Sequence, residues 1–221
     1  MFPLLRPHRL DLDELVRIQH RVAELVRQED GFQRLERIAG CDISFSRGDR
    51  ACAACVVLDY RSLEPQEERV RSVKVRFPYI PTFLAFRELE GMLRVLRGTE
   101  ADVYMVGAQG VAHPRRAGLA SHLGVVLDRP TLGVAKSRLV GEADAPGESP
   151  GSYTWLRHEG EIVGAVLRTR RGAKPVYVSV GHRLTLETAV RITLETTRGH
   201  RLPEPLRRAH ELATRAMRER P

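Results

Sequence analysis

Two apolar, β-prone runs, residues 38–45 and 51–60, stand on either side of a short polar break containing Arg47, Gly48, Asp49 and Arg50. Such a pair around a glycine-bearing break folds as a hairpin, because the break supplies the turn and the runs supply two pleated, buried surfaces. The first run carries an acid, Asp42, at its middle. Asp is depleted from strand interiors, so it either caps or turns the chain at a sheet edge or serves a purpose the strand does not need. Both readings stand on this run alone. What separates them is whether other parts of the chain point at Asp42.

The 221 residues are read as one domain, 1–221, long enough to bury a full core. An apolar share of 42% with 29% charged residues is that of a globular protein, and no apolar run approaches the roughly 18 residues of a membrane helix. Residues 1–8 lack the apolar core of a signal peptide, which gives a cytoplasmic expectation. The net charge of +8 favours contact with a polyanion. Among 36 basic residues only Lys74, Lys136 and Lys174 are lysines, so a lysine at a defined position is worth inspecting. Cys41, Cys52 and Cys55 all fall in the two opening runs. An odd number, with Cys52 and Cys55 on opposite strand faces, suits small buried thiols in a reducing compartment better than a disulfide or zinc site.

Residues 11–28 read as an amphipathic packing helix on Leu12, Leu15, Ile18, Val22 and Leu25. Residues 70–77 alternate Val73, Val75 and Phe77 with polar neighbours, a third strand that completes an antiparallel meander. Pro78-Tyr79-Ile80-Pro81 follows. The prolines stiffen the backbone on both sides of Tyr79 and Ile80. A strand-to-helix elbow explains the prolines but not the tyrosine. Residues 82–97 form a helix whose apolar arc includes Leu84, Ala85, Phe86, Leu89, Met92 and Val95, with Glu88 inside that arc. A carboxylate on a core face must be paired, protonated or bound to a cation. Glu90, among arginines on the opposite face, needs no such account.

Residues 102–106 and 131–135 are buried strands around a helix at 117–127, which implies a parallel crossover. Parallel sheets place their chemistry beyond the carboxyl ends of the strands, where residues 107–113 and Lys136 lie. An acidic loop at 142–151, a hairpin of 152–156 with 162–169, a strand at 176–180, a helix at 185–196 and a final helix from Glu204 complete the chain. On that last helix Leu206, His210, Ala213 and Met217 share a stripe. His210 is then either the polar member of a packed face or a ligand.

Six motifs occur in order: Gly40-Cys41-Asp42-Ile43-Ser44; Phe77-Pro78-Tyr79-Ile80-Pro81 with Phe86-Arg87-Glu88; Gln109-Gly110-Val111-Ala112-His113-Pro114-Arg115; Gly133-Val134-Ala135-Lys136-Ser137-Arg138-Leu139; Ser179-Val180-Gly181-His182; and Pro203-Glu204-Pro205 with Ala209-His210. Together they resemble the endonuclease V family, nucleases that cut DNA or RNA near inosine, over nearly the whole chain. The resemblance implies an α/β, ribonuclease H-like fold: a central mixed sheet of antiparallel hairpin strands plus parallel strands, flanked by helices. It implies a DNA-repair endonuclease that hydrolyses a phosphodiester 3′ to deoxyinosine with Mg²⁺, or Mn²⁺ as a substitute, acting as a monomer. By the same resemblance Asp42, Glu88 and His210 surround the metal, and Lys136 joins them near the cut phosphate. Tyr79, carried by Pro78, Ile80 and Pro81, is the wedge that enters where the lesion base leaves the stack, and His113 lies in a substrate-binding loop. The chemistry agrees, since phosphodiester hydrolysis needs charge neutralisation and an activated water, and base extrusion leaves a gap that an aromatic can fill.

One position departs from the family pattern. Where the family carries Asp-Gly-Gln-Gly, this chain has Gly107-Ala108-Gln109-Gly110, so a metal aspartate is replaced by Gly107. Asp102 is five residues back along a strand, roughly 16 Å away, and cannot substitute. Loss of that carboxylate removes several kcal/mol of transition-state stabilisation, on the order of a thousandfold in rate. A catalytically silent module that binds inosine-containing DNA or RNA is the alternative, and a nuclease for branched nucleic acid on the same scaffold is a weaker third.

Overall fold

The computed structural model describes residues 11–46 and 48–219. Residues 1–8, read above for a signal peptide, and Arg47 of the hairpin break lie outside them. The elements are α1 (Leu12–Leu25), β1 (Arg37–Phe45), β2 (Arg50–Asp59), β3 (Pro65–Lys74), α2 (Leu84–Leu96), β4 (Val103–Val106), α3 (Leu119–Leu127), β5 (Thr131–Ala135), β6 (Tyr153–His158), β7 (Glu161–Leu167), β8 (Val176–His182), α4 (Leu186–Glu195) and α5 (Glu204–Glu219). One eight-stranded sheet has the order β3-β2-β1-β4-β5-β8-β7-β6. The meander β1 to β3 is antiparallel, β1, β4 and β5 run parallel, and β8, β7 and β6 return to antiparallel pairing. This is the mixed α/β sheet expected from the sequence.

Alternation along β1 divides the core. Ile38 joins Val56, Leu58, Met105 and Leu132 on the face covered by α4 and α5. Ala39 and Cys41 join Ala53, Cys55 and Val57 on the face covered by α2 and α3. Leu15, Ile18 and Val22 of α1 form a smaller outer cluster with Phe77, Phe83 and Phe86. β2 is buried from Ala51 to Leu58 because both its faces are covered. The three cysteines are free and buried, as their strand positions imply. Among the described residues no helix is long and apolar enough to cross a membrane.

β3 differs from expectation, running over 65–74 where the apolar alternation marks 70–77. Its first half, Gln66 to Arg69, is polar and pairs through the backbone with β2, as an edge strand can. Beyond Lys74 the alternation continues without a partner strand, and Phe77 packs instead on Phe86 of α2. Likewise α2 starts at Leu84, two residues late, because Thr82 sits in the left-handed region at φ +67°. Asp102 accepts from the Glu36 and Arg37 amides, so it ties the far end of β1.

Candidate active site

Strand register brings the first pieces together. Cys41 pairs with Val106 in parallel, and the Gly107 amide donates to the Cys41 carbonyl at 3.0 Å. Asp42 therefore emerges level with the first residue past β4. Gly40, two residues earlier on the same face, has no side chain, and a Cβ there would lie 2.0 Å from the Pro205 carbonyl oxygen. The missing atom lets the first turn of α5 rest directly on β1. Five residues along that helix, His210 reaches Asp42, and its Nδ1 donates to Asp42 Oδ2 at 2.6 Å. His210 keeps 43% of its side chain exposed, so the packed-core reading of it does not hold.

Asp42 is pulled two ways. Burial raises its pKa, while the His210 hydrogen bond and charge, the Ile43 amide and the Lys136 charge oppose that rise. Glu88 arrives from the other side of the sheet, on α2, and is only 7% exposed. Burial and the charge of Asp42 push it up to about 8, opposed only by Arg87. The structure thus joins Asp42 to His210 and sets Glu88 within electrostatic range of Asp42. Among the described residues no group of three or more His, Cys, Asp or Glu is spaced to hold a metal ion.

Gly107 is exposed beside this pair, and a Cβ there would meet Asp42 Oδ1 at 2.6 Å. Its backbone is not left-handed, and the atom in the way is the mobile end of a carboxylate. A side chain at 107 is therefore compatible with the fold once Asp42 turns aside.

An open cavity of about 470 Å³ extends from Asp42 and His210 past Gly107 and Lys136 to Tyr79 and His113. Lys136 is exposed at the end of β5 and Tyr79 is 70% exposed at the rim. Pro78 and Pro81 are exposed and Ile80 is half-buried against the outer cluster. The Arg87 guanidinium holds one end of this loop by donating to the Phe77 carbonyl at 2.6 Å. His113 is buried and its Nε2 bonds the Thr82 carbonyl at 2.8 Å. Burial, aided by the charges of Arg115 and Arg116, lowers its pKa to about 4 against the pull of that carbonyl. Sequence reasoning singled out His113 for substrate but passed over Gln19, Thr82 and Arg115, which surround it. The signal for Gln19 was available, a polar residue at helical spacing between Leu15 and Val22 on an otherwise apolar face.

Residues 20–211 match the family model for endonuclease V. The chain is 50% identical over 210 residues to the endonuclease V of Methanothrix thermoacetophila, covering 93% of this chain and 92% of that protein. The crystal structure of the Streptomyces avermitilis endonuclease V superposes with a TM-score of 0.90 at 38% identity, covering 96% of this chain and 95% of that one. That of the Ciona intestinalis endonuclease V, in complex with a 24mer DNA containing an inosine followed by a ribo-adenosine, has a TM-score of 0.82 at 27% identity, covering 94% and 98%.

Proposed function

Since the chain belongs to the endonuclease V family, we propose that it recognises deaminated bases, inosine first, in DNA and is built to hydrolyse the phosphodiester 3′ to them. The observation that carries this reading is the Asp42–His210 pair opening into one cavity with Lys136 and the exposed Tyr79. Inosine-containing DNA bound by the Ciona relative supports the choice of ligand.

Tyr79 enters the stack as the lesion base leaves it, and the cavity receives the base. Lys136 and the Arg-rich surface neutralise the strand. The two carboxylates Asp42 and Glu88 suit a divalent ion, Mg²⁺ or Mn²⁺, since Mg²⁺ asks for one or two carboxylates and takes water for the rest. Asp42 Oδ1 borders the open side at Gly107, and Glu88, raised by burial, is a carboxyl that a cation would ionise. Asp42 and Glu88 would hold the ion, which supplies charge neutralisation at the phosphate and an activated water when bound. His210, donating to Asp42 through Nδ1, fixes the orientation of that carboxylate.

Gly107 leaves the ion without a third anchoring carboxylate, so cleavage by this chain is impaired. The same vacancy favours a second reading, a module that binds inosine-containing nucleic acid without cutting it. The two separate in a nicking assay on a deoxyinosine duplex with Mg²⁺ or Mn²⁺. Gly107→Asp is expected to nick the inosine strand on the order of a thousandfold faster than the chain as it stands. Selective binding by both proteins with nicking by neither would replace the nuclease reading with the binding one.

A further inference from the structure

Thr82 lies three residues past Tyr79 and is held from three directions. Its carbonyl accepts from Gln19 Nε2 of α1 at 2.7 Å and from His113 Nε2 at 2.8 Å. Its hydroxyl accepts from Arg115 Nη2 at 2.7 Å, and Arg115 Nε donates to Gln19 Oε1, closing the network. His113 Nδ1 accepts the Arg115 amide at 3.2 Å, which leaves Nε2 as the protonated nitrogen. The Arg115 guanidinium also stacks 4.7 Å over Phe83, the residue after Thr82. Gln19 is fully buried and His113 nearly so, while Thr82 and Arg115 are half-buried, so the inner part of the network is shielded from water.

The clamped residue is in a backbone state that β-branched residues avoid, φ +67°, at the start of α2, where no side chain caps the helix. A polar network that converges on one strained residue over-determines it. The beneficiary is the short loop in front of it. Arg87 holds Phe77 at the other end, and Tyr79 stands between the two anchors with its ring in solvent.

We propose that Gln19, His113 and Arg115 are positioning residues that lock Thr82 and so keep Tyr79 pre-ordered for insertion into a base stack. This rests on the wedge reading of Tyr79. His113 then acts through the loop and not by touching the substrate. Pre-ordering removes the cost of immobilising the loop at the moment of binding, and it acts only on duplexes that Tyr79 enters.

The test is metal-free binding of a fluorescent inosine duplex and its undamaged counterpart, with hydrogen exchange at the amides of residues 79–83. Gln19→Leu is expected to lower the inosine preference about tenfold, leave undamaged-duplex affinity unchanged and speed exchange at 79–83. In a Tyr79→Ala background it is expected to cost nothing more, the non-additivity of groups acting as a unit. Thr82→Gly guards against a folding defect, because glycine tolerates positive φ while losing the clamped hydroxyl. It should behave as Gln19→Leu does, and Thr82→Ser should restore the preference. If Tyr79→Ala loses the preference while Gln19→Leu and Thr82→Gly keep it, or if the losses simply add, the clamp is wrong and the wedge stands. If Tyr79→Ala keeps full preference, the wedge is wrong and the clamp falls with it.

Discussion

Two residues carry consequences that can be measured without a nicking assay. A carboxylate placed at 107 would sit against Asp42 Oδ1, and two like charges at that distance repel until a cation lies between them. Gly107→Asp is therefore expected to melt lower than the parent in chelator and to recover on adding Mg²⁺ or Mn²⁺. At 10 mM ion and a dissociation constant of about 1 mM the gain is about 1.4 kcal/mol, roughly 3–5 °C in Tm, read by calorimetry. His113 gives a pH test. Its folded pKa, about 4, lies below the ordinary 6.5, so between those values the unfolded chain binds the extra proton. Stability should fall as pH drops from about 6.5 to 4, by about 3 kcal/mol at most, and His113→Asn should flatten that slope in urea titrations at pH 7 and 4.5. At this scale the sequence was informative where a polar residue broke an apolar pattern. Asp42 in a strand and Glu88 in a helical arc announced themselves. The clamp around Thr82 did not, because its four members are scattered over 97 positions and only the fold brings them to one carbonyl.

Among the elements, α5 depends on a single absent atom. Gly40→Ala would put a methyl group 2.0 Å from the Pro205 oxygen, which is backbone and cannot swing away. The helix must lift from β1, and His210 must leave Asp42. We expect a loss of about 2–4 kcal/mol with any lesion-dependent cleavage falling together with stability, whereas His210→Ala should reduce cleavage with little change in Tm. Denaturant titration beside the duplex assay separates the two. Helix identities and strand order around the crossover were legible because 3.6-residue and two-residue periods are strong over these lengths. β3 was misplaced by several residues because an edge strand is chosen by backbone pairing with its neighbour, not by its own apolar pattern.

On the scale of the whole molecule, the charge of +8 sets how the protein meets a polyanion. For about five phosphate contacts, log affinity should fall by roughly 4.5 per tenfold rise in salt, about 500-fold between 50 and 200 mM, for inosine and undamaged duplexes alike. A flat salt response in anisotropy titrations would rule out the basic surface as the docking face. The sheet itself has a different consequence. Asp42 hangs on the side covered by α5, and Glu88 crosses from the side covered by α2. Neither helical layer alone can present both acids, so a nascent or partly collapsed chain with only one layer in place does not bring the two carboxylates together. Completion of the tertiary structure is thereby a built-in interlock, since the two acids come within electrostatic range of each other only after the last layer has closed.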